Sequence, residues 1–185
     1  MRRVSRIVGV LLVLSTFVSI ALACDGKSLV PIRQIGRYSK WRFTEEHQYG
    51  YEVELWSQGG LRFGTFSASN GLQGDTPIGL LEDVRFDPKS GALEFSARLT
   101  MGVVIQNDGK GVPSRDRFRF HGRLTNQRLV GIVLREDALS AGRKSSTSER
   151  VVLKREHDQE VSPPPTCGLW LERTLAALKF RGPRW

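Results

Sequence analysis

The feature that most constrains the fold is a strict alternation of apolar and polar residues in two long stretches. The first runs from Leu93 to Ile105 and the second from Arg115 to Leu124. Side chains of a β-strand point alternately to two faces, whereas a helix repeats every 3.6 residues. Both stretches are therefore predicted to be half-buried strands. The apolar face of the first consists of Leu93, Phe95, Ala97, Leu99, Met101, Val103 and Ile105.

Shorter alternating stretches surround these two, with turn residues between them. They are Gly50–Ser57, Leu61–Ser67, Gly79–Phe86, Arg128–Glu136 and Glu149–Arg155. The segment Gln106–Ser114 contains Asn, Asp, Gly and Pro and is predicted to be a loop. About eight strands joined by short turns, with no helical pattern between them, predict an all-β fold. We expect an antiparallel eight-strand meander that is closed as a barrel or folded as a β-sandwich.

The composition changes after the last strand. Ser162–Pro165 is predicted to be an extended, proline-rich linker. Leu171, Leu175 and Leu178 then recur at helical spacing, which predicts a short amphipathic helix over Gly168–Phe180 that packs on the barrel wall. The chain is accordingly divided into a signal peptide (1–23), a barrel-like domain (24–161) and a linker with a C-terminal helix (162–185).

This order of signal peptide, eight-strand meander and C-terminal helix resembles the calycin group, which includes lipocalins and avidin-like barrels. The resemblance is one of topology and covers roughly Trp41 to Phe180. Lipocalins usually carry Gly-x-Trp at the first strand, whereas here Gly36 lies five residues before Trp41. No family binding residue is therefore carried over. The resemblance implies a barrel with a cup for a small molecule.

The N-terminus has the three parts of a secretory signal peptide. Basic residues (Arg2, Arg3 and Arg6) precede an uncharged, apolar run from Ile7 to Ala23, which ends in the small-x-small pattern Ala21-Leu22-Ala23. The alternative is a retained membrane anchor, for which seventeen residues is the lower limit of length. Cleavage after Ala23 predicts a secreted, periplasmic or envelope-attached protein.

Two cysteines, Cys24 and Cys167, lie at opposite ends of the predicted mature chain. In an oxidising compartment, an even number of cysteines predicts one disulfide. The alternative is lipidation of Cys24, because a bacterial lipoprotein carries its acylated cysteine directly after the cleavage site. The sequence Ala21-Leu22-Ala23-Cys24 resembles that lipobox only in part, since the usual Leu is displaced by one residue. Membrane contact is expected only through such lipidation.

The chain is basic, with a formal net charge of +9. Removing residues 1–23 leaves 25 Lys and Arg against 19 Asp and Glu, a net charge of +6. Arg115, Arg117, Arg119 and Arg123 are predicted to form a row on one strand face, with about 7 Å for each step of two residues. This row is a candidate site for phosphates or carboxylates of an acidic partner. The alternative is a solvated outer face balanced by Glu94 or Glu136 on neighbouring strands.

Candidate ligand-binding residues are Glu82, Trp56 and Tyr51. Glu82 falls in step with apolar residues, so it is predicted either to face a ligand inside the barrel or to face water because a bulge near Leu80-Leu81 shifts the register. Aromatic residues near the first strands (Trp41, Tyr49, Tyr51 and Trp56) suit a barrel mouth or, alternatively, a core.

No enzyme motif is present in the sequence. His47, His121 and His157 show no metal-ligand spacing, and no nucleophile elbow or phosphate loop occurs. Nucleic acid is not expected as a partner because the Phe residues of the arginine strand point away from the arginines. The sequence thus predicts a non-enzymatic binding protein, without cofactor or metal, for a small apolar or amphipathic ligand. The alternative is an envelope interaction protein that binds an acidic partner through the outer face of 115–124.

Overall fold

The computed structural model describes residues 30–72, 74, 76–139, 146–156, 164 and 166–184. The predicted signal peptide, Cys24, His157 and most of the proline-rich linker lie outside these residues. The described residues contain eleven strands: β1 (Arg33–Phe43), β2 (His47–Gln58), β3 (Leu61–Leu72), β4 (Ile78–Leu80), β5 (Glu82–Phe86), β6 (Ala92–Leu99), β7 (Val103–Ile105), β8 (Gly111–Pro113), β9 (Asp116–Leu124), β10 (Arg128–Asp137) and β11 (Ser146–Arg155). One helix, α1 (Cys167–Arg181), follows them.

Nine strands form one antiparallel sheet in the order β4-β3-β2-β1-β11-β10-β9-β6-β5. The sheet nearly closes into a barrel because its two edge strands follow each other directly in the chain. β4 pairs with β3, β5 pairs with β6, and the amide of Leu81 between them donates to the carbonyl of Gly64 in β3, 2.9 Å away. The predicted all-β meander with a C-terminal helix is confirmed, and it forms a barrel rather than a sandwich.

The predicted single strand Gly79–Phe86 is interrupted at Leu81, between β4 and β5, close to the bulge that the sequence analysis gave as an alternative. Leu80 packs outside the barrel under α1, whereas Leu81 packs in the barrel core. Asp83 has a positive φ of 54°, and the pairing with β6 shifts between Glu82 and Arg85. Glu82 therefore lies on the outer wall, as expected for the shifted register, but its side chain is 15% exposed and pairs with Arg98 instead of facing water.

The predicted strand Leu93–Ile105 is too long. β6 ends at Leu99, and Gly102 has a φ of +145°, which side-chain-bearing residues rarely adopt. The chain then forms a separate hairpin of β7 and β8, so the segment Gln106–Ser114 contains a strand that was predicted to be loop. Val103 and Ile105 are exposed on this hairpin and do not extend the core.

Inward-facing side chains fill most of the barrel. The largest fully buried ones include Tyr38, Phe66 and Phe118, and Phe95 stacks on Phe120 with ring centroids 5.1 Å apart. Gly122 and Gly131 face each other across β9 and β10, where an added Cβ at either position would lie 2.6 Å from the Phe120 ring. Because glycine has no side chain, Gly122 and Gly131 leave room for the Phe120 ring. A filled interior leaves room for a ligand only near one end.

The helix α1 covers the outer faces of β2, β3 and β4. Thr166 caps it, accepting a hydrogen bond from the amide of Leu169, and Gly182 ends it. Trp170 is buried in a second apolar cluster and meets Phe63 edge-on, with ring centroids 4.8 Å apart. The predicted stripe is correct for Leu171 and Leu178, which pack against this cluster, but Leu175 is exposed. Within the described residues, no helix is long and apolar enough to cross a membrane.

Candidate functional site: a cavity where the first and last strands separate

The barrel is not paired along its whole length between β1 and β11. Two register pairs join these strands, Tyr38 with Arg155 and Ser39 with Lys154, and the amide of Glu156 donates to the carbonyl of Arg37. β10 and β11, by comparison, share nine register pairs. Beyond Ser39 the end of β1 and the start of β11 separate, which opens a wedge at this end of the barrel.

A cavity of about 520 Å³ occupies this end. Its residues come from strands that are far apart in sequence, including β1, β2, β3, β9, β10 and β11. The apolar part of the lining includes Ala68, Met101, Phe118 and the Tyr51 ring, while Lys40, Arg42 and Arg135 contribute cationic groups and Glu149 a carboxylate. The cavity is therefore amphipathic, and in charge it is biased towards an anion.

Tyr51 links the two sides of the wedge. Its hydroxyl donates to Glu149 Oε2 at 3.1 Å, and its ring stacks on Phe66 with a centroid separation of 5.8 Å. Burial, together with the charge of Glu149, raises the pKa of Tyr51 to about 12. The phenol is thus a neutral hydrogen-bonding group at physiological pH. Lys40 Nζ lies 3.8 Å from Glu149 Oε1, and both side chains are about half exposed.

Arg135 is held in place from behind by Asp116. Both Nε and Nη2 of Arg135 lie 2.8 Å from Asp116 Oδ1, and the guanidinium lies 5.8 Å from the centre of the Phe118 ring. The Asp116 side chain is 1% exposed, and its Oδ2 accepts from the Ser114 hydroxyl and from the Met101 amide. A cation fixed in this way presents its remaining N–H groups to the cavity without having to be ordered by a ligand.

Arg42 and the aromatic residues form the outer rim. The Arg42 guanidinium lies 5.0 Å from the centre of the Tyr49 ring, which also stacks on His47 with a centroid separation of 6.1 Å. Such stacking keeps the positive charge beside an apolar surface. The rim therefore continues the combination of cationic and apolar groups that the cavity shows inside.

The three predicted ligand-binding residues are not brought together. Tyr51 lines the cavity, but Trp56 is buried under α1 outside the barrel. Glu82 forms an ion pair with Arg98 on the outer wall, with Glu82 Oε1 2.6 Å from both Nε and Nη2. Trp41 and Tyr49 do line the cavity, as expected for aromatic residues at a barrel mouth.

The arginine row lies on the outer wall as predicted. Arg117, Arg119 and Arg123 are exposed along β9, and Arg115 directly precedes this strand. Glu136 pairs with Arg119 at 3.3 Å, and Glu94 lies 2.7 Å from His121 Nδ1. The neighbouring carboxylates therefore balance part of the row, which was the alternative prediction, while Arg117 and Arg123 form no ion pair with another described residue.

Sequence reasoning missed Asp116 and Arg135. The signal was available for Asp116, because it is in step with Phe118 and Phe120 and so belongs to the inward face of its strand. Arg135 is likewise in step with Leu129 and Val133, both of which are buried. A charged residue at an inward position near a strand end indicates a paired group or a binding site.

Cys167 is buried at the start of α1, but Cys24 lies outside the described residues, so the predicted disulfide stays a prediction. Among the residues that the structure describes, no group of three or more His, Cys, Asp or Glu side chains is arranged to hold a metal ion. Comparisons of the chain with protein-family models, with curated proteins and with solved structures gave no match.

Proposed function

We propose that the protein is an exported, non-enzymatic binding protein that holds a small amphipathic anion in the cavity between β1 and β11. The observation that carries the proposal is the lining of this cavity: an apolar wall around Phe118 and Met101, with the cation of Arg135 held by Asp116. An apolar body would pack on this wall while a carboxylate, sulfate or phosphate group meets the cations.

The position of the cavity supports a cup at one end of the barrel. The remaining interior is filled with side chains, so a ligand would enter only the part where the strands separate. The antiparallel, nearly closed barrel is consistent with a calycin-like topology, and a ligand cup at a barrel end suits that assignment. Export rests on the N-terminal sequence Met1–Ala23.

The proposal is tested by native mass spectrometry of the exported protein and by binding of laurate and of its neutral analogue dodecanol. We expect an extra mass that leaves on denaturation, and tighter binding of laurate than of dodecanol. Thr147→Trp, which places a large ring in the cavity from exposed β11, should abolish laurate binding. Ser146→Trp is the matched control, because its side chain points to the opposite face of the same strand.

A second variant tests the charge preference. Lys40→Gln should weaken laurate binding about five- to tenfold, in line with one partly exposed, charge-assisted hydrogen bond, and leave dodecanol binding unchanged. Equal effects of Thr147→Trp and Ser146→Trp, or a protein that carries no extra mass and binds neither probe, would refute the proposal.

A further inference from the structure

The outer wall of the barrel carries an apolar strip along one strand. Val130, Ile132 and Leu134 point outward from β10, because Leu129 and Val133 between them are buried in the core. Val152 of β11 lies beside Val130 in register. Ile132 is 51% exposed and Val152 40% exposed, so these large apolar side chains meet water in the isolated chain. We call these four residues (Val130, Ile132, Leu134 and Val152) the β10 strip.

Cationic side chains border the β10 strip on both sides. Among the described residues, the outward positions of β9, β10 and β11 carry six Lys or Arg and one carboxylate, Glu136. On the β9 side, Arg123 is in register with Val130 and Arg119 with Leu134, and on the β11 side Arg150 is in register with Ile132. The six cations are Arg117, Arg119, Arg123, Arg128, Arg150 and Lys154, all exposed.

The curvature of the barrel decides which partner this pattern suits. A convex wall meets a flat surface along one line, and here that line is the apolar strand β10. The cationic strands β9 and β11 lie on either side, where the wall curves away and long Lys and Arg side chains can extend back to the surface. Apolar residues at the line of contact with basic residues beside them are the pattern of proteins that lie on anionic lipid.

A groove of about 790 Å³ beside the strip gives room for headgroups. Arg117 and Arg119 line it together with Ile132 and Leu134. Three carboxylates also line it: Glu82 and Glu94 are paired with Arg98 and His121 respectively, and Asp83 accepts a hydrogen bond from the Ser96 hydroxyl. The groove therefore offers cations to an anionic headgroup directly beside the apolar residues that would contact acyl chains.

We propose that the outer wall formed by β9, β10 and β11 is a docking surface for an anionic lipid bilayer. This surface is separate from the cavity between β1 and β11, and it does not depend on the function proposed for that cavity. The bilayer is favoured over an acidic polymer because the exposed apolar residues Ile132 and Val152 lie within the cationic surface, where a polymer recognised by charge alone would need no apolar contact.

The test is co-sedimentation of the exported protein with phosphatidylcholine vesicles and with mixed phosphatidylcholine–phosphatidylglycerol vesicles. The intact mass is measured first, to determine whether Cys24 carries a lipid. We expect binding only to the anionic vesicles, with a decrease as NaCl is raised. Arg123→Gln combined with Arg150→Gln should weaken binding about 25-fold, because each cation at an anionic membrane contributes about a factor of five. Ile132→Ser should also weaken it several-fold.

Matched controls come from exposed positions of α1, on a different wall. Arg173→Gln combined with Lys179→Gln, and Leu175→Ser, should leave vesicle binding unchanged. Failure of the unaltered protein to bind anionic vesicles would overturn the proposal, as would equal losses in the α1 controls. A loss with the arginine variant but none with Ile132→Ser would also overturn it, and would indicate an acidic polymer. Circular dichroism of every variant checks that the fold is retained.

Discussion

Replacement of Asp116 by Ala should destabilise the protein far more than replacement of an exposed carboxylate. Asp116 accepts two hydrogen bonds from Arg135 and is 1% exposed, so its loss leaves the guanidinium without its partner. Breaking a buried ion pair by removing one side costs about 3–5 kcal/mol. Because the Arg135 side chain is 36% exposed and can turn partly to water, we expect the lower end, about 3 kcal/mol.

Glu136→Ala is the matched control, because Glu136 also pairs with an arginine. Its partner Arg119 lies 3.3 Å away, and the two side chains are 37% and 53% exposed. An exposed ion pair contributes about 0–1 kcal/mol, since water and salt screen it. The difference between the two losses of unfolding free energy therefore reflects the burial of Asp116 together with the hydrogen bonds that it accepts from Ser114 and Met101.

The measurement is urea unfolding of both variants and of the unaltered protein, followed by far-UV circular dichroism at neutral pH. The free energy of unfolding should fall by about 3 kcal/mol for Asp116→Ala and by less than about 1 kcal/mol for Glu136→Ala. If Asp116→Ala costs no more than Glu136→Ala, Arg135 is not held by a buried carboxylate and the description of the cavity is wrong. Asp116→Asn, which keeps the shape, should give an intermediate value.

Two further predictions concern α1 and Tyr51. Trp170→Ala should lower the free energy of unfolding by about 3–4 kcal/mol, because Trp170 is buried against Phe63 and a large cavity would remain; urea unfolding measures it, and a loss below about 1 kcal/mol would contradict docking of α1. Tyr51 should ionise at about pH 12 rather than 10 in a near-UV titration. Because the folded state holds this proton more tightly, stability should fall between pH 10 and 12, and Tyr51→Phe should remove that part of the fall. An ordinary pKa for Tyr51 would mean that its hydroxyl is not buried beside Glu149.

The strands with clean alternation were predictable from the sequence, and β1 was not. Leu93–Leu99 and Arg117–Phe120 alternate without a break, and each lies in a strand with one buried face. In β1 a register shift between Gln34 and Gly36 interrupts the period of two, so the core-packing residues Ile35 and Tyr38 lie three positions apart in the sequence. A local pattern cannot reveal a strand whose own register changes.

The position of Glu82 could be narrowed to two possibilities but not decided from the sequence. The inward and the outward position are equally compatible with the sequence around Glu82. The pairing partners of Leu80 and Leu81 select the outward position. The cavity could not be predicted, because it depends on where β1 and β11 separate, and these strands are about a hundred residues apart. The arginine row was predicted correctly as an exposed face. The β10 strip beside it was not predicted, because the sequence of β10 showed only that its residues alternate and not which face is outward.

The short pairing between β1 and β11 also sets where the barrel can yield. Parting these strands breaks the bonds around Tyr38 and Ser39, whereas parting β10 from β11 breaks a ladder of nine register pairs. The barrel should therefore open most easily between β1 and β11. A ligand larger than the cavity would be accommodated by further separation of these two strands, which increases the circumference of the barrel. The other strand pairs would keep their hydrogen bonds and curvature.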